Sequence, residues 1–264
     1  MLMKLRLLLI LLILTTALPA QDLKWERSMP WPGEEMEADN LGFLYSVQGS
    51  EVQKLDARGK LLSRYSDKSL GTISKLDVRN PMKILVFYRD FNTVVFLDNM
   101  LNPSGDRLVL ESLGIQRAYD ACASFDNGFW VFDSDALQLL RFNGNLEPVV
   151  RTGNLRAQVE GDFRVSRMWE RENRLLVGCA NGDVLVFDVF GTYMTTWHQD
   201  NRKTWWVQED RSFSAQADSV FVRRFSDPME QVFRIPDSDW KACRVYRKTL
   251  WVLVGNTLKT YLFP

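Results

Sequence analysis

The feature that most constrains this chain is a repeat. Residues 83–101, "KILVFYRDFNTVVFLDNML", hold two apolar runs separated by Arg89-Asp90-Phe91-Asn92. A helix of this length needs a polar face, and none exists. Read in alternation, Ile84, Val86 and Tyr88 point one way and Leu85 and Phe87 the other, so the segment reads as a hairpin buried on both faces. Burial on both faces requires a further sheet stacked on each side. The same unit recurs at 42–65, 127–150, 173–197, 210–235 and 248–263. The residues that follow its second strand, Asp56, Asp98, Asn143, Asp188 and Ser226, are spaced by 42, 45, 45 and 38 positions. A period of roughly 40 residues with four short strands per unit predicts a β-propeller.

Each unit has an inner extended stretch (72–80, 117–125 and 243–247 are examples), the buried hairpin, and an outer stretch such as 107–113. The count predicts an all-β, six-bladed propeller of four-stranded antiparallel blades, a single domain over residues 21–264. The last unit reaches Pro264 without an outer strand. The segment 22–29, "DLKWERSM", supplies it, with 23–28 alongside 258–263, and so closes the ring and removes an exposed edge. Asn181-Gly182 suits a two-residue hairpin turn. The aspartates of Asp56–Gly59 and Asp188–Gly191 suit tight turns in which the carboxylate binds backbone amides. One carboxylate per blade is isolated from its fellows, so no metal site is expected at these turns.

The first twenty residues fall outside the repeat. Lys4 and Arg6 precede an unbroken Leu/Ile run from Leu7 to Leu14, and "TTALPA" follows, the layout of a secretory signal peptide removed after Ala20. The run is shorter than the ~20 residues of a membrane span. The first cysteine after it is Cys122, so no lipid attachment is expected at the mature N-terminus. The expectation is an exported protein, periplasmic or associated with the outer membrane and not inserted in it. The chain has 33 basic and 33 acidic residues, and 31 against 33 once Lys4 and Arg6 are lost. That balance lacks the basic stripe that nucleic acid or an anionic membrane calls for. Cys122, Cys179 and Cys243 are expected to be buried free thiols.

The segment "GDVLVFDVFGTYMTTW", residues 182–197, resembles the strand-turn-strand core of NHL-type repeats and of quinoprotein-like propellers, including the outer-membrane-assembly propeller lipoproteins. The block 80–99, with "NGFWVFD" at 127–133, looks like a family of exported propellers from Bacteroidota-type bacteria. The resemblance implies a six-bladed propeller in the cell envelope and carries over no catalytic residues.

Chemistry is sparse. The lone histidine, His198, lies in "HQDNRK" near Asp200, where a solvated loop histidine is the expected reading. No nucleophile elbow, phosphate loop or His-Glu-x-x-His is present, and no catalytic residue, metal or cofactor is expected. Trp130 and Trp251 lie in hairpin strands and are expected between blades. Of Trp205 and Trp206, alternation sends one to the core and one to the channel or its rim. Propeller geometry gathers Trp31, Arg89, Asp90, Arg156, His198, Asp200, Arg202 and Trp205 on one loop face, the candidate partner-binding surface. The polar inner-strand residues Lys75, Asp77, Asp120, Arg164, Arg167 and Arg244 read as a basic-leaning channel that disfavours a bound cation. Two functions fit. One is a non-catalytic scaffold, monomeric within a hetero-complex for outer-membrane assembly or protein export. The other is a propeller enzyme of lactonase, lyase or glutaminyl-cyclase type.

Overall fold

The computed structural model describes residues 21–263 apart from 160–163, 199–203, 209, 228 and 238. Residues 1–20, expected as a signal peptide, lie outside the described residues, as do Asp200 and Arg202. Six sheets, each built on four antiparallel strands, form the blades, and one carries a fifth short strand. Blade one runs through Glu35–Ala38, Leu44–Gln48, Glu51–Leu55 and Leu61–Ser66. In blade two the hairpin is Ile84–Tyr88 paired with Thr93–Leu97, with Val86 opposite Val95 and Arg89–Asn92 forming the turn. The inner strands of the remaining blades are Ala118–Ala123, Val165–Arg171, Thr204–Gln208 and Trp240–Tyr246. Among the described residues no helix is long and apolar enough to cross a membrane.

The alternation inside the hairpins sets the packing. Ile84, Val86 and Tyr88 join a buried cluster with blade one, while Leu85 and Phe87 join a separate one with blade three. Each seam between neighbouring blades has such a cluster among the described residues. Trp130 sits in the seam between blades three and four and Trp251 in that between six and one, both as expected.

The ring closes through both ends of the described chain. Lys24–Pro30 is the outer strand of blade six, with Lys24 opposite Leu262 and Pro30 opposite Thr257. One further pairing was not foreseen: Gln21 and Asp22 add a short parallel strand beside Phe233 and Arg234 of blade five.

The turns after the third strands of blades one to four repeat one device. A carboxylate or amide Oδ1 accepts two backbone amides, from Arg58 and Lys60 at Asp56, Met100 and Asn102 at Asp98, and Phe190 and Thr192 at Asp188. Asn143 does the same with Asn145 and Glu147. In blade five the acceptor is Asp227, one residue beyond the expected Ser226. The turn aspartates are structural, as their spacing indicated.

Blade two departs from the expected outer strand at 107–113. Only Leu108–Val109 pair as strand, and Leu110–Leu113 form a 3₁₀ turn. Burial decides this: Leu110 is fully covered in the seam with blade three, its amide donates to the Asn92 carbonyl, and Gly114 at φ 82° ends the turn in a left-handed conformation.

Cys122, Cys179 and Cys243 are free and buried. Burial raises all three thiols, that of Cys179 to about 12. The thiolate is the reactive form. Native protein at neutral pH is therefore expected to resist maleimide and to take up one label per cysteine after denaturation. Fast native labelling, or a cystine peptide recovered without reductant, would contradict the strand placement.

Candidate functional site

Two surfaces and the channel are candidates. The first surface is formed by the loops that enter each inner strand and those that join the hairpin strands, the face expected from sequence. Its polar residues lie where the topology places them. Asp90 and Arg156 are exposed. Arg89 is half-buried, its Nε donating to the Tyr119 carbonyl at 2.7 Å and its guanidinium stacked 4.0 Å from the Tyr119 ring. His198 is exposed beside Asp183, with Nδ1 3.2 Å from Oδ1. Trp205 is placed by its backbone, opposite Ser214. Trp206 lies in the core at the channel rim, stacked on Phe213.

Trp31 requires a correction. It was expected as an exposed loop aromatic, yet it is 3% exposed, packed against Met36, Leu44 and Trp251 in the seam between blades six and one. Its amide donates to the Asn256 carbonyl and its Nε1 to the Glu35 carbonyl. The two flanking prolines lead the chain across this seam, and burying the indole there releases its large apolar area from water.

The channel also differs from expectation, because carboxylates balance its cations. Glu37 grips Arg244 through two bonds of 2.9 and 2.6 Å, joining blades one and six. Burial opposes ionisation of Glu37, but the adjacent Arg244 guanidinium outweighs it and holds the carboxyl below its usual range. Asp77 behaves likewise, with Arg171 and Lys75 outweighing its burial. Lys75 donates to the Met168 carbonyl at 2.7 Å, lies 3.6 Å from Asp120, and rests 4.6 Å from the Trp169 ring. Asp120 is the exception: burial dominates and raises its carboxyl, although the Met168 amide donates to it at 2.6 Å. Arg167 meets Glu35 at 3.7 Å, and the Arg164 carbonyl is held by the Ala180 amide just before the inner strand. Glu37, Lys75, Asp77, Trp169, Arg171 and Arg244 line a cavity of about 30 Å³ in the channel. Among the described residues no three His, Cys, Asp or Glu side chains converge as a metal site needs.

Glu170, at the end of the same inner strand as Arg167, is the deepest of these groups. It is fully buried and accepts bonds from Arg79, Ser124, the Phe125 amide and Trp130 Nε1, at 2.6–2.9 Å. It ties blades two, three and four together. Nothing in the local sequence singled it out, since its partners lie 40 or more positions away.

The second surface, made by the loops that follow the inner and third strands, is the apolar one. Among the described residues it exposes Leu41, Met82 (63%), Met100, Phe125 (53%), Phe190 (74%) and Met229, whereas the first surface exposes Phe91, with Val109 at its rim. Leu41, Phe43, Leu62, Pro81, Met82 and Met100 line a cavity of about 170 Å³ between blades one and two. None of these positions was expected to be functional. Three of them, Met100, Phe190 and Met229, occupy the same place, two residues after the turn acceptor. That recurrence was the available signal.

No protein-family model matches the sequence, and no curated protein matches it. Solved structures are similar to it. The WD40 domain of Pan2 from Neurospora crassa has a TM-score of 0.62 at 10% identity, over 94% of this chain and 97% of that one. The β-propeller domain of Cps50 (Swd1) from Myceliophteria thermophila gives 0.61 at 12%, over 92% and 100%. A streptogramin B lyase gives 0.59 at 10%, over 91% and 86%. At such identities the likeness is one of fold, and this chain folds as a six-bladed β-propeller.

Proposed function

We propose that this protein is a non-catalytic scaffold of the cell envelope that holds a partner protein on its apolar loop face. The observation that carries the reading is the one-sided distribution, among the described residues, of exposed Met, Leu and Phe on the ring. Scattered single apolar residues need no explanation, but a collection on one face marks an interaction surface. Adaptable methionines beside phenylalanines suit protein contact. The signal-like N-terminus supports a location outside the cytoplasm, and the reading has the protein as a single copy in a hetero-complex for outer-membrane assembly or protein export. An enzyme of lactonase, lyase or glutaminyl-cyclase type would need channel carboxylates free to bind a metal or move a proton. Glu37, Asp77 and Asp120 are each engaged with a neighbouring cation or amide.

Combining Met82→Ser with Phe125→Ser tests the face. Both side chains are exposed, so stability should move by about 1 kcal/mol or less. The pair is expected to lose partners that the parent retains on purification from its native envelope, whereas Asp90→Ala with Arg156→Ala retains them. An unchanged partner set with the first pair, or its loss with the second, would contradict this choice of face.

A further inference from the structure

We propose that the groove between blades four and five binds a small aromatic oxyanion, a planar ring carrying a carboxylate, sulfate or phosphate group. The proposal stands independently of the partner face. Among the described residues this seam has the smallest buried cluster, Leu176, Val184, Val186 and Val207, against seven or more in each of the others. A cavity of about 200 Å³ opens there, lined by Arg174, Trp197, Ser212, Arg223, Arg224 and Phe225. That volume is below the ~300–1,000 Å³ of drug-sized sites and suits a single substituted ring.

The lining is chemically one-sided. It includes Arg174, Arg223 and Arg224 and no carboxylate, while Glu230 stands opposite Arg223 in the ladder. Among the described residues none of the three arginines makes an ion pair. Asp188 sits across the sheet from Arg174, but its Oδ1 is taken by the Phe190 and Thr192 amides. Arg174 and Arg223 lie on the cavity side of their strands, and an oxyanion between them accepts the bidentate bonds that guanidinium is shaped to give.

The ring site is as well defined as the charge site. Trp197 belongs to the outer strand of blade four and Phe225 follows the third strand of blade five. Their ring centroids lie 5.2 Å apart at 40°, so the pair bridges the two blades. The Phe225 amide is fixed by the Asp210 carbonyl at 2.9 Å, and the Arg174 guanidinium lies 5.9 Å from the Phe225 centroid. Val186 and Met194 complete an apolar wall. Together they offer a planar ligand one aromatic flank and one cationic flank.

Calorimetry and saturation-transfer NMR on the folded mature chain test this with phenyl phosphate, benzoate, inorganic phosphate and benzyl alcohol. Phenyl phosphate is expected to bind more tightly than inorganic phosphate or benzyl alcohol by about tenfold, and to weaken as salt rises. Either order between benzoate and phenyl phosphate supports the proposal and identifies the head group. Arg223→Gln with Arg224→Gln, both exposed, is expected to lower phenyl phosphate affinity about tenfold with the fold intact by circular dichroism. Trp197→Leu should lower phenyl phosphate affinity and leave inorganic phosphate unchanged. No binding of phenyl phosphate at millimolar concentration, equal binding of benzyl alcohol, or indifference to the arginine pair would overturn the proposal.

Discussion

A chain shortened to begin at Trp31 will aggregate or lose most of its stability, although it keeps the four antiparallel strands of each of the first five blades and three strands of the sixth. Lys24–Pro30 pairs along the whole of Thr257–Leu262, and its loss leaves that strand as an unprotected edge. Leu258 and Tyr261, now buried, lie on the uncovered strand. The lost segment also reaches both neighbouring blades. Arg27 donates to the Ala57 carbonyl of blade one, and Gln21–Asp22 pair with blade five. Removing a strand that ties three blades should cost several kcal/mol, a large share of the ~5–15 kcal/mol that a domain possesses. Thermal melting and light scattering of the purified chain check this. A monomer that melts within a few degrees of the parent would mean that the ring does not depend on its closing strand.

The second large effect belongs to Glu170. Glu170→Ala removes the acceptor for four donors in an interior that water does not reach. The Arg79 guanidinium, 2.7 Å away, loses its counter-charge at the same time. Breaking a buried charge pair by removing one partner costs about 3–5 kcal/mol. For a chain of this size that corresponds to a melting point lower by roughly 10 °C. Glu170→Gln keeps the shape, but its amide nitrogen faces two of the donors, so an intermediate loss is expected. Denaturant unfolding measures both. A Glu170→Ala protein within about 1 kcal/mol of the parent would show that the three-blade junction is held by apolar packing alone.

The hairpins were legible because both of their faces are apolar, a pattern that only a sheet between two others satisfies. Asp56, Asp98 and Asp188 were legible as turns because Asp supplies its own amide acceptor locally. The closing strand followed from an outer strand missing at the end of the chain. Residues whose surroundings come from distant sequence were not legible. Trp31, between two prolines, has the composition of an exposed loop, and its burial depends on Asn256 and Trp251 more than 200 positions away. Glu37 and Glu170 look like ordinary strand carboxylates until the ring sets them against Arg244 and Arg79. Met82, Phe125 and Phe190 each stand alone in a polar turn, and only the ring reveals that they share a face.

Site-specific photocrosslinking in the native envelope tests the scaffold reading most directly. A photoreactive amino acid placed singly at Met82, Met100, Phe125 or Phe190 reports one face, and at Asp90 or Arg156 the other. The account predicts a discrete higher-mass adduct with a common partner from the first set and none from the second. Adducts confined to Asp90 and Arg156, or no adduct from any of the first four positions, would contradict it.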